Sequence, residues 1–405
     1  MDLAAPSVAT SIHRIMLDNY LLSRRHVAVE NYSLCWDKPV YGAFADIIAD
    51  PLVWEYFHSN GIAESMGGGV SGFSRRIPSE AELLIEPSKA GKFVERYREL
   101  WTMVGEEFVT STLESEIGHP AHCVVDGHKF FCHDLRLVYN LWQIERFLDK
   151  RGHEPLVIVE IGGGYGGLAA KLRRRLPKAK IIVIDLPEAN AIQTYYLSRA
   201  LPTEKGFYSI DLEREGIKAF LAGDANYALL PPYAIVDLPD LCADLVINIR
   251  SMMEMLPAII AGYFVHIHRI TRTGGGFYCV NRYHKSKVGV PIRIRDYPFD
   301  GRWFATVSQP AWSQPAVHEF MLVRTEHRNV HLQQLLASLP PFGLKTLAAQ
   351  VQQSIHQLVA MLSGKPRNPS GFKWLLGRDG NPRNPIARLK RVLRLGQLKR
   401  RLWQE

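Results

Sequence analysis

The sequence predicts an α/β protein built on a doubly wound, mostly parallel sheet, with a helical N-terminal region and a basic, helical C-terminal tail. Three observations carry that expectation. From Leu156 onward, short β-branched runs alternate with helical patterns. The run Val157-Ile-Val-Glu-Ile161 passes directly into the loop Gly162-Gly-Gly-Tyr-Gly-Gly167, and a helical pattern opens at Leu168. A second run, Lys180-Ile-Ile-Val-Ile-Asp185, ends in an acid 25 residues after Glu160.

Taken in order, residues 1–150 read as a helical cap that would contribute to substrate binding, with apolar spacing of helical type over Phe93–Gly105 and a glycine break at Gly67–Gly72. Asp126-Gly127 suggests a short hairpin, and a helix is expected from about Leu135 to Asp149. Residues 151–330 form the predicted sheet domain. Its strands are expected at 156–160, 180–185, about 227–236, 244–249 and 277–281, with helices near 167–176, 188–200, 252–256 and 257–271. Gly274-Gly-Gly276 would separate the last of these helices from the fifth strand. Runs near 302–308 and 317–324 fit an antiparallel edge. Residues 331–405 form a C-terminal extension, helical to about 362, then Pro- and Asn-rich, then basic.

The glycine loop satisfies two patterns at once. Gly162, Gly164 and Gly167 have the dinucleotide spacing G-x-G-x-x-G. Glu160, Gly162, Gly164 and Gly166 have the spacing acid-x-G-x-G-x-G, with Gly163 between them. That second pattern resembles motif I of class I S-adenosylmethionine-dependent methyltransferases, a Rossmann-like fold. Glu160 separates the two. A carboxylate at the strand end repels a pyrophosphate, whereas S-adenosylmethionine carries a sulfonium and an ammonium. Asp185, followed by Leu186, suits a ribose diol in either cofactor and is also compatible with capping the next helix.

Further segments resemble a family of sugar O-methyltransferases found with bacterial surface-polysaccharide and glycan genes. They are Glu116-Ile-Gly-His-Pro120, Asp134-Leu-Arg136, Glu160–Ala169, Ile184-Asp-Leu-Pro-Glu188, Tyr195-Tyr-Leu-Ser198, Asp244-Leu-Val-Ile-Asn248, Ser251-Met-Met-Glu-Met255, Phe277–Arg282 and Tyr297-Pro-Phe-Asp300 with Trp303. The resemblance spans about residues 110–325. It implies methyl transfer to a sugar hydroxyl in polysaccharide or glycan biosynthesis, and a helix near Asp134, Arg136 and Tyr139 covering the methionine end of the cofactor.

O-methylation needs a base for the hydroxyl proton, and ligands of open α/β sheets bind beyond the carboxyl ends of the strands. Glu254, after strand four, and His284, after strand five, are the candidate bases. Glu254 would equally suit a first-turn acid complementing a helix dipole, and His284 an exposed loop histidine. Asn248 is placed to contact the methionyl end of the cofactor or the acceptor, and would equally suit an amide that caps the loop. Ser251, Asn281 and Arg282 are the candidate substrate contacts, Arg282 through an anionic group. His266 and His268 lie two apart on one helix and so face differently, which suits packing rather than a shared metal. His318-Glu319 falls on a predicted edge strand. No His/Asp/Glu spacing suggests a metal, and a magnesium-dependent reaction stays open.

The 405 residues carry a net charge of +9, but its distribution matters more than its sum. From Lys365 onward there are twelve Lys/Arg and two acids, while the rest of the chain is nearly neutral. Ile386, Leu389, Val392 and Leu393 lie on one side of a helix among basic residues, so residues 386–403 are expected to meet an anionic membrane, or else to pack on this chain or a second subunit. No stacking module accompanies the charge, which disfavours nucleic acid. Five scattered cysteines with no C-x-x-C pair, no secretory signal and no apolar run of membrane-spanning length suggest the cytoplasm, with the inner membrane face as a place of contact. The rival functions are an NAD(P)-dependent oxidoreductase, a methyltransferase of RNA or a small natural product, and an inactive methyltransferase-like binding module. Homo-oligomer formation is left open.

Overall fold

A computed structural model describes residues 8–27, 79–85, 87–113, 117, 122–125, 127–131, 134–149, 156–285, 290–312 and 314–341. The described residues all fall within one compact unit, residues 1–343. The glycine break at 67–72, most of Glu116–Pro120, the expected helix beyond 341 and the basic tail lie outside the described residues.

The N-terminal region contributes α1 (Val8–Arg24), α2 (Glu80–Leu83), α3 (Pro87–Val104), α4 (Glu106–Ser111), a hairpin of β1 (His122–Val125) and β2 (His128–Phe131), and α5 (Asp134–Leu148). The sheet region follows as β3 (Val157–Ile161), α6 (Gly167–Arg175), β4 (Lys180–Ile184), α7 (Pro187–Ala200), β5 (Gly206–Tyr208), α8 (Ser209–Glu215), α9 (Ile217–Ala222), β6 (Tyr227–Leu230) and β7 (Ala243–Ile249). Then come α10 (Pro257–Ile270), β8 (Thr271–Arg282), β9 (Trp303–Ala311), β10 (Gln314–Arg324) and α11 (His331–Ser338).

Eight strands form one sheet in the order β5-β6-β4-β3-β7-β8-β10-β9. All neighbours are parallel except β8–β10 and β10–β9, the expected antiparallel edge. This is a Rossmann-like α/β sheet. Strands buried on both faces need apolar residues throughout rather than in alternation, and successive residues of β3 and β4 accordingly feed two cores. Ile158 and Ile181 pack with Ile144, Leu172 and Tyr196 on one face. Val159 and Ile182 pack with Phe220, Phe264 and Leu332 on the other. The strand order reverses around β3, whose neighbours are β4 and β7. Chain connections diverge there and leave a crevice beyond the carboxyl ends.

The N-terminal helices are built into these layers. Asn19 of α1 accepts a hydrogen bond from the backbone N–H of Ile210 at 3.0 Å, and Arg24 pairs with the buried Glu188 of α7 at 3.5 Å. Helix α5 is fixed by a fully buried ion pair, Lys171 Nζ to Asp134 Oδ1 at 2.5 Å, whose ammonium also donates to the Thr112 carbonyl.

Four local expectations are corrected. Gly274-Gly-Gly276 lies inside β8, not before it, because Gly276 pairs with Leu245 and a Cβ there would stand 2.4 Å from the Phe147 ring. The third expected strand stops at Leu230, since Pro231-Pro232 offers no N–H to a ladder, and a 3-10 turn runs from Pro232 to Asp237. The helix expected at 252–256 is a single 3-10 turn, Met252–Glu254, closed by the approach of Pro257 at the start of α10. Strand β5 was not expected; it is three residues long, too short to show a period.

Candidate active site

The site forms where β3, β4 and β7 end. Gly162 (φ 77°), Gly164 (φ 61°) and Gly166 (φ 96°) adopt left-handed backbone angles that L side chains resist. Each has a separate reason. A Cβ on Gly162 would fall 2.1 Å from Ser251 Oγ, so the turn after β7 closes directly against the glycine loop. Gly164 faces open space. Gly166 opens α6, and a Cβ there would touch Leu197 of α7 at 3.4 Å. At Gly163 a Cβ would stand 2.7 Å from Val183 and 3.2 Å from Glu160 Oε2.

A cavity opens above this loop. Glu160, Gly162, Gly163, Gly164, Asp185, Leu186, Ser251 and Glu254 all line it. Glu160 is 3% exposed, and its Oε2 is buried with no hydrogen-bond partner among the described residues. Burial, with the charge of Asp185 nearby, pushes its carboxyl up to about 8. Asp185 is pushed up to about 6 by burial, partly offset by the N–H groups that meet it. Its Oδ2 accepts from Gly164 N at 3.1 Å and Gln193 Nε2 at 2.9 Å, and its Oδ1 from Leu186 N at 2.8 Å. Asp185 is therefore first a brace for the glycine loop. A carboxylate has about four acceptor positions, so a diol would share one already engaged.

Asn248 and Asn281 stand beneath the cavity rather than in its wall. Both are fully buried. Asn281 Nδ2 donates to Asn248 Oδ1 at 2.8 Å, and Asn248 Nδ2 donates to the Ile161 carbonyl at 2.9 Å and to Ser251 Oγ at 2.6 Å. Ser251 Oγ in turn donates to the Ile161 carbonyl at 3.0 Å. This chain of bonds ties the ends of β8, β7 and β3 together and sets the turn that carries Arg250, Ser251 and Glu254. Gly166 likewise acts through packing and is absent from the cavity wall.

Of the two candidate bases, only Glu254 lines the cavity. Its carboxylate meets Lys285 Nζ at 2.5 Å, an ion pair that sequence spacing alone does not reveal. His284 is half-buried and outside the cavity wall; burial and Arg293 lower its pKa, opposed by Asp296. Arg282 ends β8 opposite Val317, also outside the wall. His318 is buried against Tyr283 and Ser308, and burial lowers it to about 4. Glu319 accepts hydrogen bonds from Tyr139, Gln143 and Gln309 at 2.7–2.9 Å. His268 is held by packing among Phe264 and Trp303. Among the described residues, no group of three His, Cys, Asp or Glu side chains could hold a metal ion.

Several wall residues come from elements far from the glycine loop in sequence. Helix α5 supplies Arg136, Tyr139 and Asn140, which share one face by their three- and four-residue spacing. The β9–β10 turn supplies Trp312 and Gln314. Trp312 stacks on Tyr139 with centroids 5.5 Å apart and planes 29° off parallel. Arg250 follows β7 at φ 64° and donates from Nη1 to Gln314 Oε1 at 2.8 Å. Burial, with Arg250 nearby, pulls the Arg136 guanidinium down to about 10; burial and Arg282 lower Arg250, opposed by the charge of Glu254. The cavity thus has Glu160 and Asp185 at its β3–β4 side, Glu254 and Arg250 on the β7 turn, and Arg136 on α5.

No family model matches the chain, and no curated protein matches it. Solved structures similar to it include the mitomycin 7-O-methyltransferase MmcR, with 13% identity over 48% of this chain and 57% of that one, at a TM-score of 0.30. The chain thus spans little more than half the length of that enzyme. A 16S rRNA (adenine(1408)-N(1))-methyltransferase with cosubstrate SAM from Catenulisporales acidiphilia is similar at 14% identity over 46% of this chain and 92% of its own, with a TM-score of 0.31. A SAM-dependent methyltransferase from Aquifex aeolicus is similar at 14% over 45% and 89%, with a TM-score of 0.29.

Proposed function

We propose that the chain is an S-adenosylmethionine-dependent O-methyltransferase acting on a sugar hydroxyl in glycan or surface-polysaccharide synthesis. The observation that carries the cofactor half is Glu160. A buried carboxylate with a vacant oxygen, lining a cavity over three left-handed glycines, calls for a cation. The ammonium of the cofactor's methionyl group supplies one, and a pyrophosphate does not. The glycines let a ligand approach the main chain, and the tightly braced Asp185–Leu186 corner fits the nucleoside end.

S-adenosylmethionine supplies an electrophilic methyl group on a sulfonium. The chain's residues must then present a hydroxyl oxygen and accept its proton. Glu254 is the cavity-lining carboxylate on the β7 turn, and Lys285 fixes its orientation. The aromatic wall of Tyr139 and Trp312 supports a sugar acceptor, since flat rings suit the apolar face of a pyranose. The sugar assignment otherwise rests on the segments that resemble sugar O-methyltransferases.

Transfer of a labelled methyl group from S-adenosylmethionine to a panel of free, phosphorylated and nucleotide-linked sugars tests this reading. Glu254→Gln should lower the rate about a hundredfold or more while preserving S-adenosylhomocysteine binding. Labelling of RNA or small aromatic acceptors in preference to every sugar would overturn the acceptor assignment.

A further inference from the structure

We infer that the acceptor is an uncharged oligosaccharide, and that the sugar units beside the one methylated lie in a groove on α3 that shares Trp312 with the cofactor cavity. The inference deepens the proposed function and rests on its sugar reading. Trp312 lines two spaces at once. One is the cofactor cavity, where it stacks on Tyr139. The other is an open groove along α3, reaching from Gly91 to Met103. At the α-helical rise that stretch spans about 18 Å, longer than a single sugar ring.

The groove has a firm back. Tyr97 and Leu100 of α3 are fully buried, and Tyr97 stacks on Phe130 of β2 with centroids 4.2 Å apart and planes 8° off parallel. The same cluster takes in Val138 and Tyr139 of α5, and Trp312 packs against it. One aromatic core, separate from the two that flank the sheet, therefore fixes both the helix that bears the groove and the ring it shares with the cavity. Three- and four-residue spacing brings Glu95, Arg98, Glu99 and Thr102 to the side of α3 opposite Tyr97, where all four are exposed.

The lining selects the occupant. Glu95 and Glu99 outweigh Arg98, so the groove is slightly acidic. A pyrophosphate laid along it would meet both carboxylates, which disfavours a nucleotide-linked sugar. A prenyl chain would strip water from the same charged groups, with Val94 and Met103 as the apolar side chains to receive it. A protein partner would have to bury all three charges, whereas the centres of protein interfaces are depleted of charged residues. Sugar hydroxyls suit the surface better. A carboxylate accepts from hydroxyl donors at several positions, and the Thr102 hydroxyl, which donates to the Arg98 carbonyl at 2.9 Å, keeps its acceptor capacity. Trp312 offers a flat ring to the apolar face of a pyranose. A sugar seated against Trp312 in the cavity would then have its neighbours in the chain at the groove.

The test follows labelled methyl transfer by the full-length protein to glucose, galactose, mannose and rhamnose, to their linear homo-oligosaccharides up to the hexamer, and to the nucleotide diphosphate forms of the same sugars. In the series that is methylated, kcat/KM should rise at least about tenfold from monosaccharide to tetramer, mainly through KM, and the nucleotide form should do no better than the monosaccharide. Thr102→Trp, which fills the groove, and separately Glu95→Ala with Glu99→Ala, should each lower kcat/KM on the tetramer at least about tenfold. S-adenosylhomocysteine affinity shows that each variant is folded. Equal rates along the series, preference for the nucleotide form, or a gain with length that survives both variants overturns the inference while leaving the sugar reading in place. Protein that binds S-adenosylhomocysteine but methylates none of these sugars overturns the inference together with the sugar reading. Protein that binds no S-adenosylhomocysteine removes the cofactor reading itself, a failure seen before any sugar is added.

Discussion

Glu160 pays for its position in stability. A folded carboxyl raised from 4.5 to about 8 binds a proton more tightly than the unfolded chain does. Its contribution to stability is therefore fully present below about 4.5 and is lost as pH rises through about 8. Asp185, raised to about 6, and Glu188, raised to about 7, act in the same direction. Removing the charge should relieve the cost. Glu160→Gln is expected to raise the melting temperature of the ligand-free protein, by an amount that grows from pH 5 to pH 8. The same substitution should weaken S-adenosylhomocysteine about tenfold or more, because the vacant oxygen no longer carries charge to meet the ammonium. In the wild type that affinity should rise with pH toward about 8, as Glu160 ionises, and in the variant the rise should vanish. Differential scanning fluorimetry and titration across this range check both signs; a variant that is less stable at pH 8 yet binds normally would contradict this role for Glu160.

At the scale of elements, β3, the glycine loop, β4 and Asp185 were legible because each is a local signal: a β-branched run, a spacing, a terminal acid. The positive φ of Gly162 and Gly164 is what their glycines announce. Gly274-Gly-Gly276 misled for the opposite reason. Its requirement is tertiary, since the Phe147 ring of α5 occupies the space above β8, and nothing adjacent in sequence reports it. The same cause hid Trp312 and Gln314 from the expected cavity wall, and Lys285 from the surroundings of Glu254, whereas the resemblance had already put the helix of Arg136 and Tyr139 over the cofactor. Arg250 was hidden because a left-handed arginine is imposed by the turn, not by the residue. Gly276→Ala should force a Cβ into Phe147 and lower stability by about 1–3 kcal/mol. Denaturant unfolding checks this, and the folded fraction should bind S-adenosylhomocysteine normally; an unchanged midpoint would mean that α5 does not bear on β8 as described.

At the scale of the whole molecule, the strand order places a crevice at the reversal around β3, and α5 and the β9–β10 turn, joined through Tyr139 and Trp312, both contribute to its wall. No helix among the described residues is long and apolar enough to cross a membrane. The twelve Lys/Arg from Lys365 onward remain a separate matter of charge. If they meet anionic lipid, ending the chain at Gly364 should reduce cosedimentation with phosphatidylserine vesicles, most visibly at low salt, with cofactor binding intact. Equal cosedimentation of both forms would favour packing of the tail on protein. In the crevice the glycine spacing fits either of two cofactors, and Glu160 chooses between them. Calorimetric titration of the full chain with S-adenosylhomocysteine and, in parallel, with NADH tests that choice most directly. Saturable one-to-one binding of S-adenosylhomocysteine and none of NADH is the expected result; binding of NADH alone, or of neither, would contradict this role for Glu160.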